Sequence, residues 1–297
     1  MPMHDEIYFS IVNQLKQRLP EVNIKNTRYY QGDDHYIIEV NTTLIFKCAK
    51  SDDYGCHMRC EVKLLRYLYK KISCTIPQVL YYFPEINCFG YKKISGVSFT
   101  KFLYNSLTVN QQEKLVEDLA QFIYELHTAV SVDQAEDLDL KPARWPLTTE
   151  EMVIALRDNL DTRLNHIFIK FIDEYNVMRE VRLRERVLIH NDLHEDNILF
   201  NKKIGSLKGI IDFTDAAFDD PYLEFRNLYL INSSFMQEVA QLYGKKRNYL
   251  INLYQIHLYY LATEFSRLVE SKKMKNSLKS NAISERILKN AFADFSK

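Results

Sequence analysis

Glycine is scarce in this chain, with only 7 among 297 residues, about a third of the usual share. A fold that depends on several glycine-rich turns, such as a dinucleotide-binding Gly-x-Gly-x-x-Gly, is therefore not expected. No apolar run reaches the roughly 18 residues that a transmembrane helix needs, so we expect no membrane partner. An excess of charge is also lacking, since Lys+Arg and Asp+Glu both number 39. We therefore expect no nucleic-acid partner of the kind that is held by bulk positive charge.

The five cysteines are an odd number, and all of them precede residue 89. The sequence does not open with a basic stretch followed by an apolar run, as a secretory signal peptide does. We therefore expect a cytoplasmic protein whose cysteines are reduced thiols. A length of 297 residues suits roughly two domains or one large two-lobed unit.

Hydrophobic periodicity divides the chain into two unequal parts. The first part has predicted helices over 5–19 and 55–71, and predicted strands over 27–31, 36–40, 43–47, 79–83 and 88–94. The second part has predicted helices over 109–129, 149–160, 163–182, 222–242, 247–270 and 280–294, around a strand-like island at 187–213. The pattern predicts an α+β protein with a small sheet lobe over 1–95 and a larger helical lobe over 96–297.

The strand-like island carries the residues best suited to chemistry. An apolar strand leads into the polar loop His190-Asn191-Asp192-Leu193-His194-Glu195-Asp196-Asn197, and a second apolar strand ends in Ile211-Asp212-Phe213. Phosphoryl transfer needs one carboxylate to orient a hydroxyl, together with oxygen ligands for magnesium. Asp192, Asn197 and Asp212 supply such a set, and we expect His190 to brace the loop.

The first part of the chain supplies a cation and a carboxylate that suit the same reaction. Lys47 ends an apolar strand, from which its ammonium group can reach a pair of phosphates. Glu61 shares a helical face with Leu64, Leu65 and Leu68, and a carboxylate that points inward is costly unless it meets a cation. We therefore expect a Lys47–Glu61 pair of the kind that positions phosphates in kinases.

Taken in order, Lys47, Glu61, His190-x-Asp192-x-x-x-x-Asn197 and Ile211-Asp212-Phe213 resemble the aminoglycoside phosphotransferase family, which has a protein-kinase-like fold with two lobes. The resemblance spans essentially the whole chain. It is strongest to the aminoglycoside 2″-phosphotransferases, through Gly90-Tyr91-Lys92-Lys93-Ile94-Ser95-Gly96 and Ile210-Ile211-Asp212-Phe213-x-Asp215. Thr214 departs from the pattern, because many relatives have glycine there.

The resemblance implies a role for each matching residue. Asp192 would be the catalytic residue that orients the acceptor hydroxyl or accepts its proton. Asn197 and Asp212 would hold Mg²⁺, and Lys47, supported by Glu61, would contact the α- and β-phosphates of GTP or ATP. The other predicted nucleotide contacts come from the phosphate loop, the interlobe hinge and the strand before the metal ligand: Gly32, Tyr91, Lys92, Ile94 and Ile211.

The acceptor is expected to be a small molecule, because Pro221 follows Asp212 by nine residues and leaves no room for a peptide-binding activation segment. Asp220 and Glu224 lie four residues apart at a predicted helix start, and carboxylates complement polycationic aminoglycosides. By the resemblance we expect a monomeric kinase that phosphorylates the 2″-hydroxyl of an aminoglycoside and confers resistance. The bulky Tyr91 would narrow the adenine position, so we expect GTP to serve at least as well as ATP.

Two alternatives stay open at this point. The same fold can serve a metabolite kinase that acts on choline, homoserine or methylthioribose, and a panel of acceptors would separate these activities. The chain can also be a catalytically silent nucleotide-binding protein, although the intact set of polar residues argues against it.

Overall fold

The computed structural model describes residues 3–32, 34–157, 159–180 and 185–291. Its first part follows the predicted alternation of helix and strand, with boundaries that differ by at most three residues. The elements of this part are α1 (Met3–Arg18), β1 (Thr27–Gln31), β2 (His35–Val40), β3 (Leu44–Ala49), α2 (Asp52–Leu68), β4 (Val79–Phe83), β5 (Cys88–Lys92) and the short β6 (Val97–Ser98).

Strands β1 to β5 form one antiparallel sheet in the order β1-β2-β3-β5-β4. Successive side chains of β3 point to opposite faces of this sheet. Ile45 belongs to the main core cluster on the α2 side, whereas Phe46 and Cys48 belong to a second cluster that packs beneath α1. The ammonium group of Lys47 meets Glu61 of α2, so Lys47 lies on the same face as Ile45.

The expectation that all five cysteines are reduced thiols is corrected by the structure. Cys48 on β3 and Cys88 on β5 stand directly opposite each other in the strand register and are joined by a disulfide bond. The spacing of cysteines along the chain does not reveal this pair, because it depends on the pairing of β3 with β5. Cys56, Cys60 and Cys74 are free.

Helix α2 carries Glu61 to the inner face of the sheet. Ser51 caps the helix by accepting a hydrogen bond from the backbone N–H of Tyr54 at 3.5 Å, which satisfies one of the free donors of the first turn. Met58 and Leu65 are almost completely buried, and each such side chain contributes about 1.5–3 kcal/mol. Glu61 is 2% exposed on the same face, so apolar packing offsets part of the cost of burying its carboxylate.

The second part of the chain is mainly helical, as its periodicity predicts. Its elements are α3 (Lys101–Ser106), α4 (Val109–Thr128), α5 (Val132–Asp137), α6 (Thr149–Leu156), α7 (Thr162–Glu180), β7 (Val187–Ile189), β8 (Ile198–Asn201), β9 (Ser206–Ile210), β10 (Ala217–Asp219), α8 (Leu228–Ile231), α9 (Ser233–Arg247), α10 (Leu253–Lys273) and α11 (Ser277–Asn290).

The single helix predicted over 222–242 is broken into three pieces in the structure. Pro221–Phe225 form a 3₁₀ turn, α8 follows, and Asn232 then adopts an extended conformation (φ −166°, ψ 130°) before α9 begins. The Asn232 side chain accepts a hydrogen bond from the backbone N–H of Phe235 at 3.1 Å, and so it starts a new helix. Apolar residues continue at helical spacing across both breaks, which is why periodicity alone does not reveal them.

Two small sheets hold the strand-like island in place. Strand β8 pairs with β6 and β9, and β7 pairs with β10, all antiparallel. Strand β6 is too short to give a periodic signal, and its pairing with β8 joins the segment after β5 to the island. The loop between β7 and β8 and the turn after β9 therefore lie beside the five-stranded sheet. No helix in the described ranges has both the length and the apolar character needed to cross a bilayer.

Candidate active site

The loop between β7 and β8 holds the predicted catalytic residue. His190 is fully buried, and its Nε2 donates to the carbonyl oxygen of Ile211 at 3.0 Å while its Nδ1 accepts from the backbone N–H of Asp192 at 3.3 Å. These two bonds define a neutral imidazole protonated at Nε2. Asn191 adopts a left-handed conformation with φ 68°, which asparagine tolerates better than most residues. His190 thus braces the loop, as the sequence predicts.

The carboxylate of Asp192 is hydrogen-bonded through both oxygens. Asn197 Nδ2 donates to Oδ2 at 2.9 Å, and Asn227 Nδ2 donates to Oδ1 at 3.3 Å. His194 Nε2 lies 3.2 Å from Oδ2. Burial alone would lower the pKa of His194, but Asp192 and Asp196 outweigh it and raise that pKa above its ordinary value. Sequence analysis did not identify Asn227, because no spacing rule links it to residue 192.

Lys47 meets two carboxylates that come from distant parts of the chain. Its Nζ lies 2.9 Å from Glu61 Oε2 and 2.7 Å from Asp212 Oδ1. The backbone N–H of Phe213 also donates to Glu61 Oε1 at 3.0 Å. The structure therefore brings together Lys47, Glu61 and Asp212, from β3, α2 and the turn after β9, in one charged cluster.

The charges in this cluster support one another. Burial alone would lower the pKa of Lys47, but Asp212 and Glu61 raise it well above its ordinary value. Burial would likewise raise the pKa of Asp212, but Lys47 holds it well below its ordinary range. Burial dominates at Glu61 and raises its pKa, although Lys47 and Thr214 oppose the rise. Near neutral pH, Lys47 is therefore a cation and Asp212 an anion.

Thr214 joins the charged cluster through its hydroxyl group. This hydroxyl lies within hydrogen-bond distance of Lys47 Nζ, of Glu61 Oε2 at 3.0 Å and of Asp212 Oδ1 at 2.9 Å. The sequence marks Thr214 only as a departure from the glycine of many relatives. Its hydroxyl adds a polar contact that a glycine at this position cannot make.

Asn197 and Asp212 each have one side-chain oxygen atom of the kind that binds magnesium in proteins. The Asn197 amide nitrogen donates to the backbone oxygen and carboxylate of Asp192 at 3.0 and 2.9 Å, which leaves its Oδ1 for another partner. In Asp212, the bonds from Lys47 and Thr214 go to Oδ1, so Oδ2 is left in the same way. The backbone N–H of Ile211 donates to the carbonyl of Asn197 at 3.0 Å and ties the two segments together. Amide and carboxylate oxygens are the ligands that Mg²⁺ takes in proteins.

Glu224 lies beneath the loop of Asp192. Its carboxylate accepts hydrogen bonds from the backbone N–H groups of His190 at 2.7 Å and Asn191 at 3.1 Å, and His127 Nε2 lies 3.3 Å from its Oε2. Burial would raise the pKa of Glu224, but the bonds from His127 and the loop keep it below its ordinary value. The sequence predicts that the Glu224 carboxylate faces the acceptor, but in the structure Glu224 is only 1% exposed. In the structure Glu224 supports the loop, and its contact with an acceptor stays a prediction.

Two other acidic residues are also engaged within the protein: Asp220, which the sequence predicts on the acceptor side, and Glu264. Asp220 is 6% exposed, and its carboxylate accepts from the backbone N–H of Tyr222 at 2.9 Å and from the hydroxyl of Tyr259 at 2.8 Å. Glu264 is fully buried and pairs with Arg267 and Arg286 (a pairing described below). The carboxylates of Asp220 and Glu224 are therefore both bonded within the protein. Their contact with a cationic acceptor stays a prediction.

The predicted nucleotide contacts lie along the inner face of the sheet and the segment that leaves it. Tyr91 on β5 is 8% exposed, and burial raises its pKa next to Lys47. Lys92 ends β5, and Ile94 packs against β9, where a Cβ at Gly209 would stand 2.9 Å from the Ile94 side chain. The backbone N–H of Ile211 is bonded to the Asn197 carbonyl, as described above. Gly32, between β1 and β2, donates its N–H to the carbonyl of His35 at 3.1 Å.

Comparison with known proteins gives one family and a set of structural relatives. The model of the phosphotransferase enzyme family matches residues 18–257. The GDP complex of wild-type aminoglycoside 2′-phosphotransferase-IIIa is similar with a TM-score of 0.83 and 22% identity, over 95% of this chain and 98% of that one. The GDP and kanamycin complex of APH(2″)-IIia gives 0.82 and 22% over the same shares. Macrolide 2′-phosphotransferase type I gives 0.69 and 16%, over 93% of this chain and 96% of that one.

Proposed function

Because the chain belongs to the phosphotransferase enzyme family, we propose that it transfers the γ-phosphate of a nucleoside triphosphate to a hydroxyl of an aminoglycoside. The observation that carries this proposal is the meeting of Lys47, Glu61 and Asp212 next to the loop of Asp192, 2.7–2.9 Å apart at the charged atoms. Phosphoryl transfer depends on placing the reactants in line and on neutralising the phosphoryl oxygens. A buried cation and a set of oxygen ligands beside an oriented carboxylate serve both needs.

Each residue then has a role in the reaction. Asp192 orients the acceptor hydroxyl and accepts its proton as the oxygen attacks the γ-phosphorus. The bond from this phosphorus to the oxygen that bridges it to the β-phosphate breaks, and the nucleoside diphosphate leaves. Lys47, held by Glu61, neutralises charge on the α- and β-phosphates. Asn197 and Asp212 would hold magnesium, which neutralises charge on the phosphate oxygens when it is bound. Replacing Asp192 with alanine is expected to reduce kcat at least about 10³-fold while nucleotide binding is kept, and near-native turnover would contradict its role.

The donor is proposed to be GTP at least as readily as ATP. Tyr91 supports this choice, because its side chain lies on the same face of the sheet as Lys47 and its ring packs on Phe89 with centroids 5.8 Å apart. A bulky ring there narrows the deeper part of the proposed base-binding site, which adenine would occupy. Guanine would bind in a position shifted away from the ring. Kinetics with both nucleotides test the proposal, and Tyr91→Ala should improve kcat/KM for ATP relative to GTP. A strong preference of the wild type for ATP would contradict this choice.

The acceptor is proposed to be an aminoglycoside phosphorylated at its 2″-hydroxyl, with drug resistance as the consequence. A structural relative was solved with kanamycin and GDP, which supports this class of acceptor. Transfer assays with 4,6-linked aminoglycosides, 4,5-linked aminoglycosides and common metabolites test the proposal, and NMR of the product identifies the hydroxyl. Expression in a susceptible bacterium should raise the inhibitory concentration of the drug that is phosphorylated. Absence of transfer to every aminoglycoside would contradict the proposal.

A second candidate is a kinase for a hydroxylated molecule of lower positive charge, such as a metabolite. It is favoured by the engagement of Asp220, Glu224 and Glu264 inside the protein, which leaves these carboxylates bonded rather than open to a polycation. The same acceptor panel distinguishes the two candidates. In either case we propose lobes over 1–95 and 96–297, a monomer, and a cytoplasmic location where the nucleotide is plentiful.

A further inference from the structure

The Asp192 carboxylate is held between two amide groups, one of which has no assigned role. Asn197 Nδ2 donates to Oδ2, and Asn227 Nδ2 donates to Oδ1 at 3.3 Å. Asn227 immediately precedes α8 and is 2% exposed. A buried amide must find its hydrogen-bond partners within the protein, so its contact with Asp192 is part of the packed structure.

The orientation of the Asn227 amide is set by Arg267 on α10. Arg267 Nη2 donates to Asn227 Oδ1 at 3.1 Å, and a guanidinium group can only donate. The amide oxygen therefore has to face Arg267, and the amide nitrogen has to face Asp192. The opposite orientation would place a donor against a donor and an oxygen against a carboxylate.

Arg267 is in turn held by a buried carboxylate. Its Nη1 donates to Glu264 Oε1 at 2.9 Å, and Arg286 Nε on α11 donates to Glu264 Oε2 at 2.7 Å. Glu264 is fully buried, so its charge needs both cations. Donors and acceptors thus alternate without a break from the last helix to the carboxylate of Asp192.

We propose that Asn227, oriented by Arg267, is a positioning residue that holds the Asp192 carboxylate in the orientation that meets the acceptor hydroxyl. The inference rests on the proposed function, in which Asp192 orients that hydroxyl. Asn197 and His194 both contact Oδ2, so among the described residues Asn227 is the side chain that fixes the Oδ1 side of the carboxylate. A misplacement of about 1 Å at a reacting group can cost on the order of 10²-fold in rate.

Asn227→Asp tests the inference, because it keeps the shape of the side chain and its bond with Arg267. The new carboxyl group no longer offers Asp192 a neutral amide donor: when ionised it repels the Asp192 carboxylate, and when protonated it shares its proton with it. We expect kcat to fall on the order of 10²-fold, with the KM for nucleotide within about threefold of wild type and the melting temperature lowered by several degrees, because a second carboxyl group is buried beside Asp192. Asn23→Asp is the matched control, since Asn23 is exposed near the start of β1. A kcat within about threefold of wild type would overturn the inference.

The assay measures phosphate release from GTP and ATP with water as the acceptor, alongside transfer to kanamycin. Water needs orientation by Asp192 as a sugar hydroxyl does, so hydrolysis tests Asn227 whatever the acceptor is. A wild type that hydrolyses nucleotide but phosphorylates no aminoglycoside contradicts the proposed acceptor alone. A wild type without any turnover contradicts both the proposed function and the role of Asn227.

A double-mutant cycle tests the part played by Arg267. If Arg267 acts through Asn227, Arg267→Met should lower kcat when it is introduced into the wild type. Introduced into the Asn227→Ala variant, the same substitution should lower kcat by less than about threefold. Full additivity of the two losses would overturn the orienting role. Asn227→Ala also replaces Asn227→Asp as the kinetic test if the aspartate variant does not fold.

Discussion

Glu224→Gln gives a test of whether this residue supports the loop or contacts the acceptor. The variant keeps the shape of the side chain but replaces one carboxylate oxygen with an NH₂ group, which would face a backbone donor. Either His190 or Asn191, bonded to Glu224 at 2.7 and 3.1 Å, then loses its partner. A buried N–H left without a partner costs about 1–3 kcal/mol, and loss of charge assistance in the remaining bonds costs about 1 kcal/mol more. The free energy of unfolding should therefore fall by about 2–4 kcal/mol.

Urea unfolding measures this loss of free energy. Thermal unfolding should show a melting temperature that is lower by roughly 3–6 °C for a chain of this size. The kcat should fall as well, because Glu224 supports the loop that carries Asp192, whereas the KM for the acceptor should change little. Glu238→Gln is the control, since Glu238 is an exposed carboxylate on α9 and its replacement should leave stability unchanged. An unchanged melting temperature with a large rise in acceptor KM would refute the supporting role and restore the acceptor contact that the sequence predicts.

Three further predictions follow from the charged cluster and from buried histidines. Thr214→Val removes the hydroxyl that bonds the cluster and should raise the KM for nucleotide about tenfold, whereas Thr214→Ser should restore it; equal behaviour of the two variants would contradict this. Asp212→Asn should abolish the dependence of nucleotide binding on Mg²⁺, measured by calorimetry with and without the metal. Burial lowers the pKa of His35 and of His257 to about 4. The stability that each histidine contributes is therefore complete above the unfolded pKa near 6.5 and is lost as the pH falls towards 4, by about 2 kcal/mol each at pH 5. The urea midpoint should drop between pH 7 and pH 5, and His257→Gln should lessen the drop; a midpoint independent of pH would contradict the assignment.

The sequence predicted the helices and strands with strong periodicity, and it predicted the Lys47–Glu61 pair. That pair was predictable because a carboxylate on a leucine-rich helical face has few physical solutions, and a lysine at a strand end is one of them. Asp212 could be identified as a candidate site residue as well, since a carboxylate at the end of an apolar segment is a local pattern in the sequence. Both features depend on short stretches of chain and on burial.

Several features that the sequence did not predict depend on contacts between distant segments. Two of the three partners described for Glu224 are backbone N–H groups, which every residue except proline carries and which cannot be recognised in the sequence. The disulfide between Cys48 and Cys88 requires the register of β3 against β5. Asn227 acquires its contact only when α10 places Arg267 beside it. An acidic residue near a predicted site can thus be a support for the loop as readily as a ligand for the substrate.

The alternation of side chains along β3 makes the cluster of Lys47, Glu61 and Asp212 depend on a single strand alignment. Lys47 faces α2, while the next residue, Cys48, lies under α1. Because the side-chain period of a strand is two, a slip of one residue exchanges the two faces. The ammonium group would then lie in the apolar layer beneath α1, and a sulfur atom would stand where Lys47 Nζ now meets Glu61. A one-residue deletion in the turn before β3 would therefore inactivate the protein by inverting the strand, even though every polar residue named above would still be present.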